Sequence, residues 1–514
     1  MSLSFKRCFN TVASINQLPM ELLTRIFEVI QVHRSSREKF PHPFAISRFH
    51  DFCEAENAIS WVPLTMHICN YWREVVLSNP SLWNDIYFNI DDGKHLQETW
   101  RYYPPPSLLL RSRLMPLHIT VHLHTRRGHI QEPLQLDEAL RTINDRVETL
   151  RICLEGEFVN SEMLDVLRHP FPHLTSLTLC LERSGLGNVT AGDVPEILFR
   201  GELPQLQRLS LWFYTSWFHH KFPNLTHISL HNQYIRPSID GFLDLLESTP
   251  CLEFLFLDEA GPRIAQGDIL PQRRVSLPSL RSVQFTTQSA VNEPHNVRIL
   301  QCFTTRHLTR SVLCNDRFRL TPDRPPFSPG VVESIFTHIK PEGIIELCVY
   351  QYNSYAYGLG VDASTRRISI QTMPYGLVTV PSPRCSSIKH LHLVSTVGIF
   401  KVDWDSFSNL LSITCYGSLN GINSLVFSLS QKIKTGCACP LLETIYLRVG
   451  EQPPDPMHLD TRWDGDLVQR VLDCFPEPTV IHRNQGNSYQ IALELRQAFP
   501  EEFQMEAPET FPLN

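Results

Sequence analysis

The sequence predicts an α/β protein in which a helical N-terminal region precedes an irregular solenoid with a parallel sheet. Three observations support this fold class. Two apolar helical segments lie near the N-terminus, a short leucine phrase recurs along the rest of the chain, and helical patterns separate several copies of that phrase. Strands that alternate with helices form parallel sheets, because each crossover returns the chain to the same end of the sheet.

Composition and charge exclude several classes of protein. The 514 residues are 42% apolar, which is enough to form packed cores and excludes wholesale disorder. Lys and Arg number 46 against 53 Asp and Glu, and the formal charge of −7 argues against a nucleic-acid partner, which usually requires a basic face. A membrane span requires about 18 consecutive apolar residues. The sequence has no such run, and we therefore expect no membrane partner.

Cysteine usage and the N-terminal residues predict the compartment. The 14 cysteines are scattered, and several, such as Cys153 and Cys180, lie inside apolar runs. This usage is typical of reduced thiols that pack as small apolar side chains. The first residues lack the unbroken apolar segment of a secretory signal. We therefore expect an intracellular protein, cytoplasmic or nuclear.

The N-terminal region, 14–90, is predicted to contain two apolar helices and a strand. The first helix begins at Leu18-Pro19, because proline is tolerated in a first helical turn. The second helix is expected over 63–77, and the strand follows a turn at Asn79-Pro80. The apolar residues of the first helix recur at spacings of one, three and four, which places them on one face: Leu22, Leu23, Ile26, Phe27 and Ile30.

These two helices carry a resemblance to a known family. The segment "LPMELLTRIFEVI", followed by "VPLTMHICNYWREVVLSNPSLWNDIYF", resembles an F-box. An insert at about 31–60 is longer than the connection usual in that family. The matching positions, in order, are Leu18-Pro19, Leu22-Leu23, Ile26-Phe27, Cys69, Trp72-Arg73, Pro80 and Leu82-Trp83.

The F-box resemblance implies binding to the Skp-type adaptor of a cullin ubiquitin ligase. A short helical motif cannot bury so many large apolar residues by itself, which agrees with a partner or a following domain. The residues alone do not separate adaptor contacts from core packing. The set implied for adaptor binding is Leu18, Pro19, Leu22, Ile26, Val62, Leu64, Ile68, Cys69 and Trp72.

The rest of the chain contains nine copies of a leucine phrase. Examples are "FPHLTSLTL" at Phe171, "FPNLTHISL" at Phe222 and "CPLLETIYL" at Cys439. The phrase resembles irregular leucine-rich repeats, in which the leucines point into a solenoid core and the end of the phrase forms one parallel strand. Glu182 and Gln233 stand where such repeats usually have Asn, which favours an irregular solenoid.

The resemblances together divide the chain into three parts. The F-box covers 14–90, a leucine-rich-repeat-like solenoid covers 107–450, and a C-terminal helix with an acidic tail covers 451–514. Within the solenoid, 286–384 shows no clear copy of the phrase, although "RRISIQTM" predicts a strand there. The whole chain is similar to F-box proteins of the fungal type.

Alternate strand positions of the solenoid supply candidate target-binding residues. The residues between and after the strand leucines are expected on the open concave face, and aromatic residues and Arg are enriched at binding hot spots. The alternative is that loops or the C-terminal tail cover this face. The candidates are Arg151, Trp212, His231, Phe256, Asp258, Tyr446 and Arg448.

These observations predict a non-catalytic protein without a metal or cofactor. The sequence has none of the common nucleophile, phosphate-binding or zinc motifs, and neither the histidines at His118, His122 and His124 nor the pair Cys437 and Cys439 has the spacing of a structural zinc site. We expect the substrate-recognition subunit of a cullin-type (SCF) ubiquitin ligase, whose partners are the Skp-type adaptor, the cullin complex and an unknown protein substrate.

Three alternatives remain open. The chain is either an F-box protein that acts outside ubiquitination, a repeat scaffold whose N-terminal helices cap the solenoid, or an enzyme that uses 287–384. Repeat arrays require terminal caps, so the second alternative has a physical basis. An exposed apolar surface on the N-terminal helices favours adaptor binding, whereas burial of that surface against the first repeat favours a cap.

Overall fold

The computed structural model divides the chain into two compact units, which we describe separately. The first comprises Met1–Leu280 with Cys302–Arg306, and the second comprises Arg281–Gln301 with His307–Asn514. Most of the predicted insert and of the C-terminal helix and tail lie outside the described residues. The described residues are 14–38, 61–91, 106–125, 138, 140–156, 166–182, 198–201, 205–213, 221–233, 236–262, 264, 269–287, 295–315, 335, 338–339, 344–351, 357–363, 366–372, 387–395, 402, 404–417, 425, 428–429, 439, 441–449 and 479–482.

The N-terminal region is helical, and its first helix begins where the sequence predicts. The backbone N–H of Leu23 donates to the carbonyl of Pro19, so Pro19 opens the first turn. The elements are a 3-10 helix at Ser14–Gln17, α1 at Met20–Glu38, α2 at Trp61–Thr65, α3 at Asn70–Ser78 and a 3-10 helix at Pro80–Trp83. One apolar cluster holds them together: Leu23, Phe27, Val62, Val75, Val76, Leu82 and Trp83.

The prediction of a single helix over 63–77 is wrong, because Cys69 interrupts it. The backbone of Cys69 is extended, at φ −158°, which a helix cannot accommodate. The Sγ atom of Cys69 instead accepts a hydrogen bond from the N–H of Trp72 at 3.5 Å and caps the start of α3. The motif position Cys69 therefore has a local structural role, in the manner of other side chains that satisfy the first N–H groups of a helix.

The first unit contains a sheet of seven parallel strands that follow one another in chain order. The predicted strands at 86–90 and after residue 116 are both confirmed. Two α-helices lie in the connections between strands, α4 at Pro106–Arg111 and α5 at Ile239–Glu247, and residues 138, 140 and 141 are helical as well. The strands are β1 Asp85–Asp91, β2 Leu117–Thr125, β3 Val147–Gly156, β4 Ser176–Glu182, β5 Arg208–Trp212, β6 His227–His231 and β7 Phe254–Asp258; a separate parallel pair is β8 Val275–Ser276 with β10 Phe303–Thr304.

The leucine phrase forms a turn that delivers the chain into each strand. The N–H of Leu225 donates to the carbonyl of Phe222 at 3.2 Å, and Leu252 makes the same bond to Thr249 at 3.1 Å. Proline at the second position of such a turn is favourable because its φ is already correct. The following strand then buries every second side chain, as Ile228 and Leu230 do in β6.

The ends of successive strands share a left-handed residue. Phe213, Asn232 and Glu259 follow β5, β6 and β7 with φ of 58°, 48° and 48°. The N–H of Phe213 donates to the carbonyl of His231, and that of Asn232 to Asp258. Gln233, at the position where Asn was expected, accepts a hydrogen bond through Oε1 from the N–H of Gly261 at 3.0 Å. The longer side chain therefore satisfies turn backbone at this position.

The second unit contains a mixed sheet of nine strands. The unassigned segment 286–384 contributes four of them, and the predicted strand "RRISIQTM" is confirmed as β14. Pairs β11–β13, β13–β14 and β17–β18 are antiparallel, and the other pairs with a determined register are parallel. In sheet order the strands are β9 Ser282–Thr287, β11 Arg310–Asn315, β13 Tyr357–Asp362, β14 Arg367–Thr372, β12 Glu346–Gln351, β15 His390–Ser395, β16 Ser412–Gly417, β17 Thr444–Val449 and β18 Thr479–His482.

We predict that truncation of Leu230 destabilises the protein strongly. Leu230 is fully buried in β6, and Leu→Ala changes at such sites cost about 2–5 kcal/mol because a cavity remains. Urea denaturation followed by circular dichroism should show a lower midpoint for Leu230→Ala. Leu114→Ala is the matched control, since Leu114 is 91% exposed. Equal midpoints for the two variants would contradict the proposed core.

Candidate functional site

Helix α1 carries an exposed apolar stripe, which we define as Leu22, Ile26, Val29 and Ile30. Leu22 and Val29 are 53% and 55% exposed. The spacing of four, three and one places the four side chains on one face of the helix. Leu23 and Phe27 lie on the other side of α1 and are buried in the helical core. The helix is therefore anchored through one face and presents the α1 stripe to solvent.

The segment around α2 adds two more exposed aliphatic side chains. Leu64 is 63% exposed and Ile68 is 52% exposed, and Pro19 at the start of α1 is also exposed. Val62, two residues before Leu64 and on roughly the opposite side of α2, is buried in the helical core. Exposed aliphatic residues in such number on a small helical region are typical of interaction surfaces.

The structure divides the sequence-predicted adaptor set into surface and packing residues. Leu18, Cys69 and Trp72 are half-buried. Trp72 donates through Nε1 to Oδ1 of Asn16 at 2.7 Å, and its ring packs edge-on against Phe27 at 5.1 Å. Leu18 accepts a hydrogen bond from Tyr71 through its carbonyl. These three residues stabilise the helical region, whereas Pro19, Leu22, Ile26, Leu64 and Ile68 are available at its surface.

The helical region also contacts the start of the solenoid, through Trp83. This indole donates to the carbonyl of Val76 at 2.8 Å, and the guanidinium of Arg111 in α4 lies 4.7 Å from its ring centroid. The chain passes from the Pro80–Trp83 helix almost directly into β1. The α1 stripe stays exposed although the helical region contacts the start of the solenoid.

The alternate side chains of β3–β7 form a column that we call the inner ladder. Its members are in register on five neighbouring strands: Cys153, Cys180, Trp212, His231 and Asp258. All five are buried, with Trp212, His231 and Asp258 at 3% exposed. Phe256, on the same face, is buried as well. The expectation that Trp212, His231, Phe256 and Asp258 are exposed on an open concave face is wrong.

Contacts within the inner ladder contribute to this burial. The rings of Trp212 and His231 stack at 3.6 Å with planes 6° apart, and the ring of Phe256 lies 4.8 Å from His231. Nε1 of Trp212 donates to Oγ of Ser210 at 3.2 Å. Aromatic side chains in register on adjacent strands thus pack against one another instead of facing solvent.

His231 is the polar centre of the inner ladder. Its Nε2 lies 2.6 Å from Oγ of Ser229, and its Nδ1 lies 3.4 Å from Oδ2 of Asp258. Burial lowers the pKa of His231, although the hydrogen bond and charge of Asp258 act in the opposite direction. Strand alternation places Ser229, His231 and Asp258 on one face, and the structure adds that the Ser229 hydroxyl and the Asp258 carboxylate both contact the imidazole.

The second unit presents a polar strand face that sequence reasoning did not identify. Arg367 donates to both carboxylate oxygens of Glu346, at 2.8 and 2.9 Å, and Nε2 of His392 lies 2.8 Å from Oε1. Burial alone raises the pKa of Glu346, but the hydrogen bonds and charges of His392 and Arg367 outweigh burial and lower it to about 2. We call Glu346, Arg367, His390 and His392 the polar face.

The polar face is half-buried, and one of the predicted target-binding candidates lies on the same side of the sheet. Tyr446 on β17 is half-buried on the corresponding side of the sheet, in register with Thr414, which pairs with His392. Arg448 belongs to the same strand, but its side chain is not described. Arg151 in the first unit is also half-buried.

The polar face was missed because its residues come from strands that are not consecutive. Strand β12 lies between β14 and β15, so Glu346 meets both Arg367 and His392. The alternating polar positions of "RISIQT" and "HLHLVS" were the available signal. Alternation predicts a face, but it does not predict which strands become neighbours.

The described residues offer no candidate for a metal site or for a membrane-spanning helix. Among the described residues, no group of three or more His, Cys, Asp or Glu side chains is arranged to hold a metal ion. Burial raises the pKa of Cys439 to about 12, so this thiol stays protonated. None of the helices in the described part of the chain is both long and apolar enough to cross a membrane.

Comparisons with known proteins found no matching family model and no matching curated protein. The resemblances to the F-box and to leucine-rich repeats therefore rest on the residues and motifs quoted above.

We predict two separate windows of acid destabilisation. Burial, with the charge of Arg208, lowers the pKa of His227 from 6.5 to about 4. The unfolded state then binds more protons between these values, so stability falls as the pH drops from 6.5 to 4. The pKa of Glu346 is lowered from 4.5 to about 2, so its contribution disappears as the pH drops from 4.5 to 2.

Substitutions should separate the two windows. His227→Phe keeps a ring against Phe254, whose centroid lies 4.4 Å away, and should reduce the loss between pH 6.5 and 4. Glu346→Gln should reduce the loss between pH 4.5 and 2. Urea midpoints measured across pH 2–7 test both, and unchanged slopes in the variants would show that other groups control acid unfolding.

Proposed function

We propose that this chain is the substrate-recognition subunit of a cullin-type ubiquitin ligase. The helical region binds a Skp-type adaptor, and the solenoid binds a target protein. The observation that carries the proposal is the exposed α1 stripe on a helix whose opposite face is buried. The F-box resemblance of the same residues supplies the identity of the adaptor.

The α1 stripe has the form that helix recognition requires. Helices that bind in apolar grooves use anchors spaced by three and four residues, as Leu22, Ile26 and Val29 are. Burial of each aliphatic side chain stabilises a complex by about 1.5–3 kcal/mol. Leu64 and Ile68 are further exposed side chains of the same region, and they belong to the set that the resemblance implies.

The polar face supports target binding in the second unit. Its side chains are half-buried and carry hydrogen-bonding groups at fixed positions, because Arg367 and His392 both hold Glu346. The buried inner ladder offers no such access. We therefore propose that Tyr446 and the polar face contact the target, while Trp212 and Phe256 do not.

In this role the chain positions the target protein near the ubiquitin-loaded enzyme. Binding of the adaptor and of the target to one chain raises the effective concentration of the target near the ubiquitin-loaded enzyme. Proximity of this kind converts a bimolecular encounter into an effectively unimolecular one. The covalent chemistry of ubiquitin transfer belongs to other subunits.

Two other functions use the same surfaces differently. A repeat scaffold would use the helical region as a solenoid cap, and the contact between Trp83 and Arg111 favours this reading. An F-box protein outside ubiquitination would bind the adaptor without joining a cullin. The exposed α1 stripe favours adaptor binding over a cap, because a cap needs that stripe buried.

We predict that Leu22→Asp with Ile26→Asp abolishes adaptor binding. Loss of two buried aliphatic contacts removes about 3 kcal/mol or more, which corresponds to at least about a hundredfold weaker binding. Copurification of the full chain with a Skp-type adaptor, followed by titration calorimetry, measures the effect. Both positions are exposed, so the double variant should keep the thermal midpoint of the wild type.

The matched control is Ile269→Asp with Leu441→Asp, since both residues are exposed and lie outside the helical region. This control should bind the adaptor like the wild type. A wild-type chain that is folded but does not bind the adaptor would contradict the proposal and favour the scaffold. Adaptor binding without recruitment of a cullin would favour the F-box protein outside ubiquitination.

A further inference from the structure

Ser229 forms a connected set with two members of the inner ladder, His231 and Asp258. Ser229 and His231 are two residues apart on β6 and share a strand face, while Asp258 is the register partner of His231 on β7. The Ser229 hydroxyl is 2.6 Å from Nε2, and the Asp258 carboxylate is 3.4 Å from Nδ1. The imidazole therefore contacts the hydroxyl and the carboxylate through different nitrogens.

The partners determine where the proton of His231 resides. An ionised carboxylate only accepts hydrogen bonds, so Nδ1 of the neutral imidazole carries the hydrogen and donates to Asp258. Nε2 then keeps its lone pair and accepts from the Ser229 hydroxyl. Burial lowers the pKa of His231, which favours this neutral form at pH 7. A neutral imidazole whose lone pair faces a hydroxyl is in the state of a general base.

Ser229 is the most exposed residue of the three. Ser229 is half-buried, whereas His231 and Asp258 are each 3% exposed. The stacked ring of Trp212, at 3.6 Å, and the ring of Phe256 restrict rotation of the imidazole. A reagent that reaches Ser229 therefore meets a base that is already oriented.

We propose that Ser229 is a nucleophilic serine, with His231 as its general base and Asp258 as the residue that orients His231, and that it accepts the acyl group of a carboxylic ester. Serine, histidine and carboxylate in this relation recur on unrelated folds and are recognised by geometry rather than by sequence order. The reactivity of Ser229 would not depend on adaptor or target binding, and it is an activity beyond the function proposed above.

Acyl transfer to Ser229 and release of the acid require only Ser229, His231, the ester and one water. Oγ of Ser229 forms a bond to the ester carbonyl carbon while its proton moves to Nε2 of His231. The bond between that carbon and the alkoxy oxygen breaks, and the departing oxygen takes the proton from Nε2. Water then attacks the acyl-serine with His231 again as base, which releases the carboxylic acid and restores the serine.

Ser210 provides an internal comparison. It lies on β5 in register with Ser229 and on the same face of the sheet. Its hydroxyl accepts a hydrogen bond from the indole of Trp212 at 3.2 Å, whereas the hydroxyl of Ser229 meets an imidazole. An indole N–H cannot remove a proton from a hydroxyl, so Ser210 should be unreactive.

Treatment of the full chain with a fluorophosphonate probe tests the proposal. Oγ of Ser229 should form a bond to phosphorus as fluoride departs, and peptide mass spectrometry should locate the label at Ser229. Ser229→Ala should abolish labelling. His231→Gln should slow labelling by about 100-fold, within the range of general-base contributions. Asp258→Asn, which keeps the shape of the side chain, should slow it at least about tenfold.

The controls separate reactivity from folding. Ser210→Ala should label at the wild-type rate, and each variant should retain the wild-type circular dichroism spectrum. If His231→Gln does not fold, Asp258→Asn and Ser229→Ala still decide the result. A folded wild-type chain that acquires no label at Ser229, or an equal labelling rate in Asp258→Asn, would overturn the proposal and leave the three residues as a structural hydrogen-bond network.

Discussion

Burial of alternate leucines on one side of each strand is the constraint on which the other features depend. Ile228 and Leu230 in β6, like Leu255 and Leu257 in β7, point into the core. Because strand side chains alternate, the residues between them are forced onto the opposite face. Parallel pairing then places those residues in columns, and the inner ladder is one such column.

The members of such a column interact directly, because they repeat at the spacing of neighbouring strands. Neighbouring strands lie about 4.8 Å apart, which suits stacked rings and direct hydrogen bonds. Trp212 and His231 stack, and Asp258 reaches the same imidazole. Buried polar groups are costly unless they are paired, so the bonds of His231 to Ser229 and Asp258 offset the cost of burying the imidazole.

The α1 stripe and the polar face differ in chemistry and therefore suit different kinds of binding. The α1 stripe offers aliphatic area, which favours a stable contact with an apolar groove. The polar face offers half-buried charges that are already paired, and such groups contribute specificity more than affinity. In the function proposed above, the α1 stripe would bind the adaptor and the polar face would discriminate among targets.

The sequence by itself determined the strands that accompany the leucine phrases, because their signals are local, whereas most strands of 286–384 have no such signal. Each of the nine leucine phrases precedes or contains a strand, and the turn before it needs only a few neighbouring residues. Tertiary structure alone decided that Trp212 and Asp258 are buried, that Leu22 is exposed while Leu23 is not, and that Glu346 meets His392. Burial and pairing depend on which distant elements pack together, and the alternation of residues along one strand does not contain that information.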